Sequence, residues 1–312
     1  MKIALLDLYS SIKSTDNLID AHVRNTLEIA KYLKCNATIL ESDFTKIINE
    51  KYDVIVFNYG SSYMPFKKLK MFTENNENAK YYYILNEYNV MPTGTIAKYN
   101  PHYILNFEKQ LFKVKKNSKS SVLNLNLLLS KLPNELIDKK YNCIYYGTFR
   151  IGRSKYFQEY IKENIYLSTS PKNFKKYKHI GCKPKYITKL SWKNKKETLN
   201  LFKYQLYIED EYTHKAFNHL ANRYYEAGFC NNVVFFDANC RNTINKSELG
   251  YYKEQVADYI VENYEDLQNK IKECNKDFEK HLALQKSWRM NEATARTNML
   301  KELKNIIYNG TK

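Results

Sequence analysis

Two short stretches of the sequence carry residue types suited to holding a phosphorylated ligand. "YYGTFRIGR" (145–153) sets Gly147 ahead of Arg150 and Arg153. A glycine there lets the backbone come close to a ligand, and guanidinium forks match pairs of phosphate oxygens. The stretch has neither GK[ST] nor GxGxxG, so it is not a P-loop or a dinucleotide fingerprint; its plain alternative is a solvated basic turn. "ANRYYEAGFCNNVVFFD" (221–237) sets Arg223 three residues before Glu226, at the end of a helical pattern. On a helical wheel Phe217, Leu220, Ala221 and Tyr224 form an apolar stripe, and Arg223 and Glu226 point away from it. A carboxylate in the last turn of a helix opposes the macrodipole. Arg before Glu is also the poorer order for a surface pair worth about 0.2–0.5 kcal/mol. A carboxylate that accepts hydrogen bonds from two sugar hydroxyls gives Glu226 a purpose that the surface pair does not.

Other ionisable residues read less sharply. "EDE" (209–211) has carboxylates at the ends of a DxD-like spacing, but it reads as a solvated helix start, with Glu209 or Asp210 as N-cap or first-turn anion. His214 and His219 lie five apart in the same helical pattern; His214 is a candidate phosphate contact, against a surface or capping role. The six cysteines (35, 143, 182, 230, 240 and 274) are scattered without CxxC or Cys/His grouping. That spacing points to reduced thiols rather than to a zinc site or a disulfide framework.

The elements that must position these residues follow from hydrophobic period. "KIALLDL" (2–8), "ATIL" (37–40), "DVIVFNYG" (53–60), "KYYYILN" (80–86) and "HYILNF" (102–107) read as buried strands separated by helix-length segments, the first being 18–34. Strands alternating with helices predict a parallel sheet. A basic, Ser- and Asn-rich span, 108–140, is a poor continuation of that sheet and contains the boundary. The same grammar then restarts with strand 141–147, helix 153–163, strand 165–169, strand 204–210 and strand 232–237. From about 251 the chain reads as strongly helical, closing with "ATARTNMLKELKNIIY" (293–308). The reading is two α/β domains, 1–135 and 136–285, with a terminal helix over 286–312. In such open sheets ligands sit at the carboxyl ends of strands, where both stretches quoted above fall.

Bulk properties narrow the classes. The chain has 312 residues, 44% of them hydrophobic and 15% aromatic, enough for two packed cores and too apolar for disorder. No apolar run has transmembrane length, and "MKIALLDLYSS" turns polar too early for a signal peptide; a cytoplasmic protein is expected. A formal charge of +17 suits a polyanion or an anionic membrane surface. Basic clusters recur at 67–70, 113–119, 172–178 and 192–196. Their plain alternative is an AT-rich coding sequence, since Lys, Asn, Ile and Tyr abound and only 8 Gly and 6 Pro occur.

"RYYEAGFCNNVVFF", a helix with Glu-Ala-Gly followed by an apolar strand, resembles the nucleotide-sugar signature in the C-terminal domain of GT-B glycosyltransferases. Its pairing with "GTFRIGR" is similar to the layout in phage DNA glucosyltransferases. One departure is Asn231 and Asn232, where many relatives carry a small residue and Pro. The resemblance implies a GT-B-like α/β fold: two Rossmann-like domains facing across a cleft, with a C-terminal helix returning to the first. It implies a nucleotide-sugar donor, with UDP as the nucleotide, bound by the second domain. Arg150, Arg153 and Arg223 would hold the diphosphate and Glu226 the ribose, with Gly147 and His214 beside them. The acceptor would be a hydroxymethylated base in double-stranded phage DNA, placing the enzyme in the host cytoplasm. Arginines aimed at a leaving diphosphate make a tightly bound metal unnecessary, with Mg²⁺ admitted as an activator. An inverting transfer would need a base from the first domain; the candidates are Asp7, Asp16, Asp20 and Glu87. Glu87 is favoured because it follows an apolar strand, while Asp16 also reads as a helix N-cap. Two other classes stay open: a glycosyltransferase acting on a cell-surface glycan or lipid carrier, and a non-catalytic nucleic-acid binder.

Overall fold

The computed structural model describes residues 1–7, 21–40, 47–58, 66–84, 103–106, 119–122, 138–190, 195–210 and 220–309. The chain divides into two compact units. One comprises Met1–Asp16, Asp20–Leu128 and Ala295–Lys312, and the other Leu129–Thr294 with Asn17–Ile19.

The first unit is a six-stranded parallel sheet: β1 (Ile3–Asp7), β2 (Ala37–Leu40), β3 (Val54–Asn58), β4 (Lys80–Ile84), β5 (Tyr103–Asn106) and β6 (Lys119–Val122), in the order β2-β1-β3-β4-β5-β6. Its described helices are α1 (Ala21–Leu33) and α2 (Phe66–Asn75). Strands buried on both faces read as continuous apolar runs, and β1 shows why. Ile3 and Leu5 join a core with Ile29, Leu33 and Val56, while Ala4 and Leu6 join another with Ile55 and Phe72. The first of these cores also takes Met299, Leu300, Leu303 and Ile307 from the final helix. Tyr308 Oη donates to the carbonyl of Leu33 at 2.5 Å, and Arg296 pairs with Glu28 at 3.0 Å. The C-terminal helix thus returns to the first unit. The span 108–140, expected to leave the sheet, supplies one more strand: β6 pairs parallel with β5. "KSSV" has no apolar period to betray it.

The second unit is also parallel throughout. Its strands are β7 (Tyr141–Tyr146), β8 (Ile165–Thr169), β9 (Lys185–Thr188), β10 (Phe202–Tyr207), β11 (Val233–Asp237) and β12 (Ile260–Val261), in the order β12-β11-β10-β7-β8-β9. Its described helices are α3 (Ser154–Tyr160), α4 (Pro171–His179), α5 (Lys195–Asn200), α6 (Asn222–Phe229), α7 (Arg241–Lys246), α8 (Lys253–Ala257), α9 (Tyr264–Cys274) and the first part of α10 (Phe278–Asn309), whose residues from Ala295 on belong to the first unit. Counted from β7, the order is the doubly wound 3-2-1-4-5-6, which reverses between β7 and β10. The two arginine-bearing stretches follow from these two strands.

The helix carrying Arg223 starts later than its apolar stripe suggests. Ala221 is the N-cap and offers no side-chain oxygen, so β10 supplies the anchors. Tyr207 Oη accepts from the Ala221 N–H at 2.8 Å, and Gln205 Nε2 donates to the Arg223 carbonyl at 2.7 Å. Arg223 therefore lies in the first turn of α6 and not the last; Phe217, of the expected stripe, lies outside the described residues. At the other end Asn231 takes a left-handed φ of 53°, a conformation asparagine tolerates just past a helix. Asn232 then donates to the carbonyl of Leu199 at 3.0 Å and to that of Phe202. The Asn-Asn pair thus has a structural job, turning the chain from α6 into β11.

Candidate functional site at the carboxyl ends of β7 and β10

The sheet reversal brings the two stretches together. Gly147 follows β7 with φ 156°, and a Cβ added there would sit 3.2 Å from Arg223 Nη1. The Gly147 carbonyl is fixed by Thr169 Oγ1, which donates to it at 2.8 Å. Tyr146, the last residue of β7, donates its hydroxyl to Glu226 Oε2, across eighty residues of sequence. Burial first, then the charge of Glu226 and that hydrogen bond, push the Tyr146 hydroxyl well above the ordinary tyrosine range. It therefore stays a neutral donor throughout the physiological range. Glu226 is 3% exposed, far from the solvated surface position that a simple ion pair requires.

Arg223 does not pair with Glu226. Its Nη2 bonds to Glu209 Oε1 and to the Ile208 carbonyl, the latter at 3.3 Å. Its guanidinium carbon lies 5.7 Å from the Tyr145 ring centroid and 5.9 Å from that of Tyr207, within cation–π reach. Burial opposes the charged form, but Glu209 and these tyrosines outweigh it and raise the Arg223 pKa further above the ordinary arginine value. Arg153 is buried, with Nε 3.0 Å from Asp210 Oδ2 and Nη2 on Glu209 Oε2. Glu209 thus bridges two arginines from opposite sides of the sheet reversal.

This corrects the reading of "EDE". Glu209 is 2% exposed and Asp210 8%, so neither is a solvated helix start. They follow β10 directly, where the chain leaves the sheet into the space the arginines occupy. The cluster is balanced, with Arg153 and Arg223 facing Glu209 and Asp210. Uncompensated positive charge comes from Arg150 and Lys189, both exposed. Arg150 sits at the N-cap of the 3-10 turn Ile151–Arg153 in extended conformation, and has no ion pair among the described residues. Beside Gly147 lies a cavity of about 190 Å³ whose walls include Tyr146, Thr148, Ser168, Ser170 and Lys189.

The structure therefore brings together Gly147, Arg153, Arg223 and Glu226, with Arg150 on the exposed rim. Glu87, Asp16, His214, Asp20 and His219 lie outside the described residues, and Asp7 ends β1. Sequence reasoning missed Tyr146 as the partner of Glu226 and Glu209 as the bridge. The available signal was position, since both stand at the carboxyl end of a strand flanking the reversal. Among the described residues no group of three or more His, Cys, Asp or Glu side chains is placed to hold a metal ion, and no helix is long and apolar enough to cross a membrane.

No protein-family model matches the sequence, and no curated protein matches it by sequence. Solved structures match over nearly the whole chain. Phage T4 β-glucosyltransferase in complex with its UDP-glucose substrate has a TM-score of 0.71 at 16% identity, covering 99% of this chain and 100% of its own. A structure described as the DNA modifying enzyme β-glucosyltransferase, with and without the substrate uridine diphosphoglucose, has a TM-score of 0.70 at 16% identity and covers 98% and 99%. An α-glucosyltransferase in complex with UDP-glucose and DNA containing an abasic site has a TM-score of 0.64 at 12% identity and covers 98% and 99%. The chain has the GT-B fold of these glucosyltransferases.

Proposed function

We propose that the chain is a glycosyltransferase that moves a sugar from a UDP-sugar to a hydroxymethylated base in double-stranded DNA, acting in the cytoplasm of a host cell. The observation that carries this reading is the meeting of Gly147, Arg223 and the Tyr146–Glu226 pair at the sheet reversal. Fold-level likeness to enzymes crystallised with UDP-glucose, one of them also with DNA, supports the choice of donor and acceptor.

In this reading Glu226, oriented by Tyr146, accepts hydrogen bonds from the donor ribose. The 190 Å³ cavity has room for one ring or phosphate-sized part of the donor, the remainder lying over Gly147 and Arg223. Negative charge grows on the diphosphate as the glycosidic bond breaks. Arg223, already locked by Glu209 and two tyrosine rings, is a donor that needs no reorganisation at that moment. Arg150, unpaired and exposed, adds the net positive charge that the balanced cluster lacks, and Arg153 anchors the loop. The base that takes the acceptor proton is assigned to a first-unit carboxylate, Glu87 ahead of Asp16.

Calorimetry with UDP, together with transfer from UDP-glucose to duplexes with and without 5-hydroxymethylcytosine, tests this. UDP binding and transfer only to the hydroxymethylated duplex are expected, and Glu226→Ala should weaken UDP binding at least tenfold. Failure to bind UDP would overturn the donor site; UDP binding with transfer only to glycan or lipid-linked acceptors would overturn the DNA acceptor.

A further inference from the structure

Residues 164–196 contain ten lysines and no aspartate or glutamate. Codon bias alone would spread lysine evenly, yet residues 248–279 of the same unit contain nine acidic residues against four lysines. The topology sets the parts of these segments in α4 and β9, with Lys172 to Lys185, and in β12 at opposite ends of the strand order of one sheet. The second unit is therefore electrically lopsided, with its β9 edge positive.

Local geometry makes the lysines more than a tally. Ser170 caps α4 and Pro171 opens it, which fixes its phase. In that phase Lys172, Lys175, Lys176 and His179 fall at i, i+3, i+4 and i+7, one solvent-facing stripe. Phe174 and Tyr177 turn inward instead, Phe174 meeting Tyr186 of β9 with ring centroids 4.3 Å apart. Lysines at i,i+3 and i,i+4 repel, and Lys172 in the first turn opposes the helix dipole. Among the described residues none of Lys172, Lys175, Lys176, Lys178, Lys183 and Lys185 has an ion-pair partner. Lys176, Lys178 and His179 gain from the dipole in the last turn, and Lys176 and Lys178 lie over the Phe149 and Phe174 rings. No described carboxylate of the unit pairs with the stripe, however, and an external anion would.

We propose that α4 and the adjoining edge strand β9 form a docking surface for the phosphodiester backbone of duplex DNA, separate from the donor-site arginines. The choice of DNA rests on the acceptor reading above. A membrane surface fits less well, because interfacial helices insert an apolar face and the large apolar residues of α4 are turned to the sheet. Lys172 to His179 spans about 10 Å of helix, and duplex DNA carries one charge per about 1.7 Å of axis, so the stripe, with Lys178 at its flank, faces several phosphates at once. It begins at the rim of the cavity beside Gly147, whose wall includes Ser170 and Lys189. A backbone held along α4 would therefore lead toward the donor.

The test is the quadruple variant Lys172→Gln, Lys175→Gln, Lys176→Gln and Lys178→Gln. Its binding to an unmodified 20-base-pair duplex is measured by fluorescence anisotropy across a salt series, beside calorimetry with UDP and sedimentation with vesicles containing phosphatidylserine. The slope of log K against log salt should fall by about 0.9 for each phosphate that the variant no longer neutralises, at least two units in all, with UDP affinity unchanged. A wild-type slope in the variant overturns the docking surface, as does lysine-dependent vesicle binding without DNA binding. The two readings fail separately. Lysine-dependent DNA binding in a protein that transfers no sugar to DNA keeps the surface and removes the acceptor. Undiminished transfer to DNA by the variant at physiological salt keeps the acceptor and removes the surface.

Discussion

The end of β10 and the stripe on α4 are both built of charged residues, and they handle charge in opposite ways. At β10, Glu209 and Asp210 hold Arg153, which is buried, and Arg223, whose side chain is only partly exposed, and every charge has an opposite partner. On α4 the lysines are exposed, alike in sign and without carboxylate neighbours. Buried pairs cost desolvation and contribute little net stability, but they fix direction to within a hydrogen bond. Exposed like charges fix nothing and instead create a field that reaches out to about a Debye length. The first arrangement suits holding one small ligand in one pose, and the second suits attracting a long polyanion before it docks.

The largest effect should follow from breaking the buried side. Glu209→Ala leaves the buried guanidinium of Arg153 and the mostly buried one of Arg223 without their shared partner, and breaking a buried pair costs about 3–5 kcal/mol. For a unit of this size that corresponds to a fall in Tm on the order of 10 °C. Thermal denaturation with and without UDP checks it, and a shift under about 2 °C would mean that Glu209 is solvated after all.

Arg223→Lys sharpens the same side. The substitution keeps the charge but loses the fork that reaches Glu209, the Ile208 carbonyl and the ligand together. Turnover should fall by about 10²–10³, the scale of a lost preorganised donor, nearly as far as in Arg223→Ala. A lysine variant with near wild-type kcat would show that only charge matters there.

A third buried charge, held away from solvent on the other face of α6, calibrates the comparison. Glu292 of α10 is buried against the other face of α6, accepting from Tyr224 Oη at 2.6 Å. Burial raises its pKa to about 7, Glu248 adds to the rise, and Arg289 and the Tyr224 hydrogen bond counter it. The Arg289 guanidinium lies 5.6 Å from the Tyr224 ring centroid. Below the ordinary carboxylate pKa, folded and unfolded chains are both protonated and Glu292 contributes nothing. Between about 4.5 and about 7 the folded state keeps a proton that the unfolded state has lost, so stability falls as pH rises. Above that window the loss is complete, on the order of 3 kcal/mol. Glu292→Gln, which keeps an oxygen for Tyr224, should flatten the profile and raise Tm at pH 8. An unchanged pH profile would place Glu292 in contact with water.

How much of this was legible in the sequence depended on where each signal was written. Strands buried on both faces announced themselves as apolar runs, and β2 and β8 span the residues expected. The strands that escaped, β6, β9 and β12, are polar or only two residues long; β9 is Lys-Tyr-Ile-Thr, exposed at three of its four positions. The Gly147–Arg150–Arg153 and Arg223–Glu226 groups were legible because each is compact in sequence. Their partners were not: Glu209 lies fourteen residues from Arg223, and Tyr146 eighty from Glu226. "EDE" was misread because three polar residues in a row look solvated. Only the fold shows that the chain leaves β10 into a space lined by arginines.

The smallest effect tests the exposed side and is informative because it should be so small. Lys175 is exposed, three residues from Lys172 and one from Lys176 on the same stripe. Replacing it with glutamine removes an i,i+3 repulsion of a few tenths of a kcal/mol. Lys175→Gln should therefore leave Tm unchanged or raise it by about a degree, the opposite sign from Glu209→Ala. DNA affinity should fall in the same variant, with the salt slope shallower by about 0.9 if Lys175 meets one phosphate. Stability and binding thus move in opposite directions at one residue, which a merely structural lysine cannot produce. Urea denaturation beside an anisotropy salt series measures both on the same preparation. A drop in stability with unchanged DNA binding would mean that the α4 lysines serve the fold, and the contrast between the two regions would collapse.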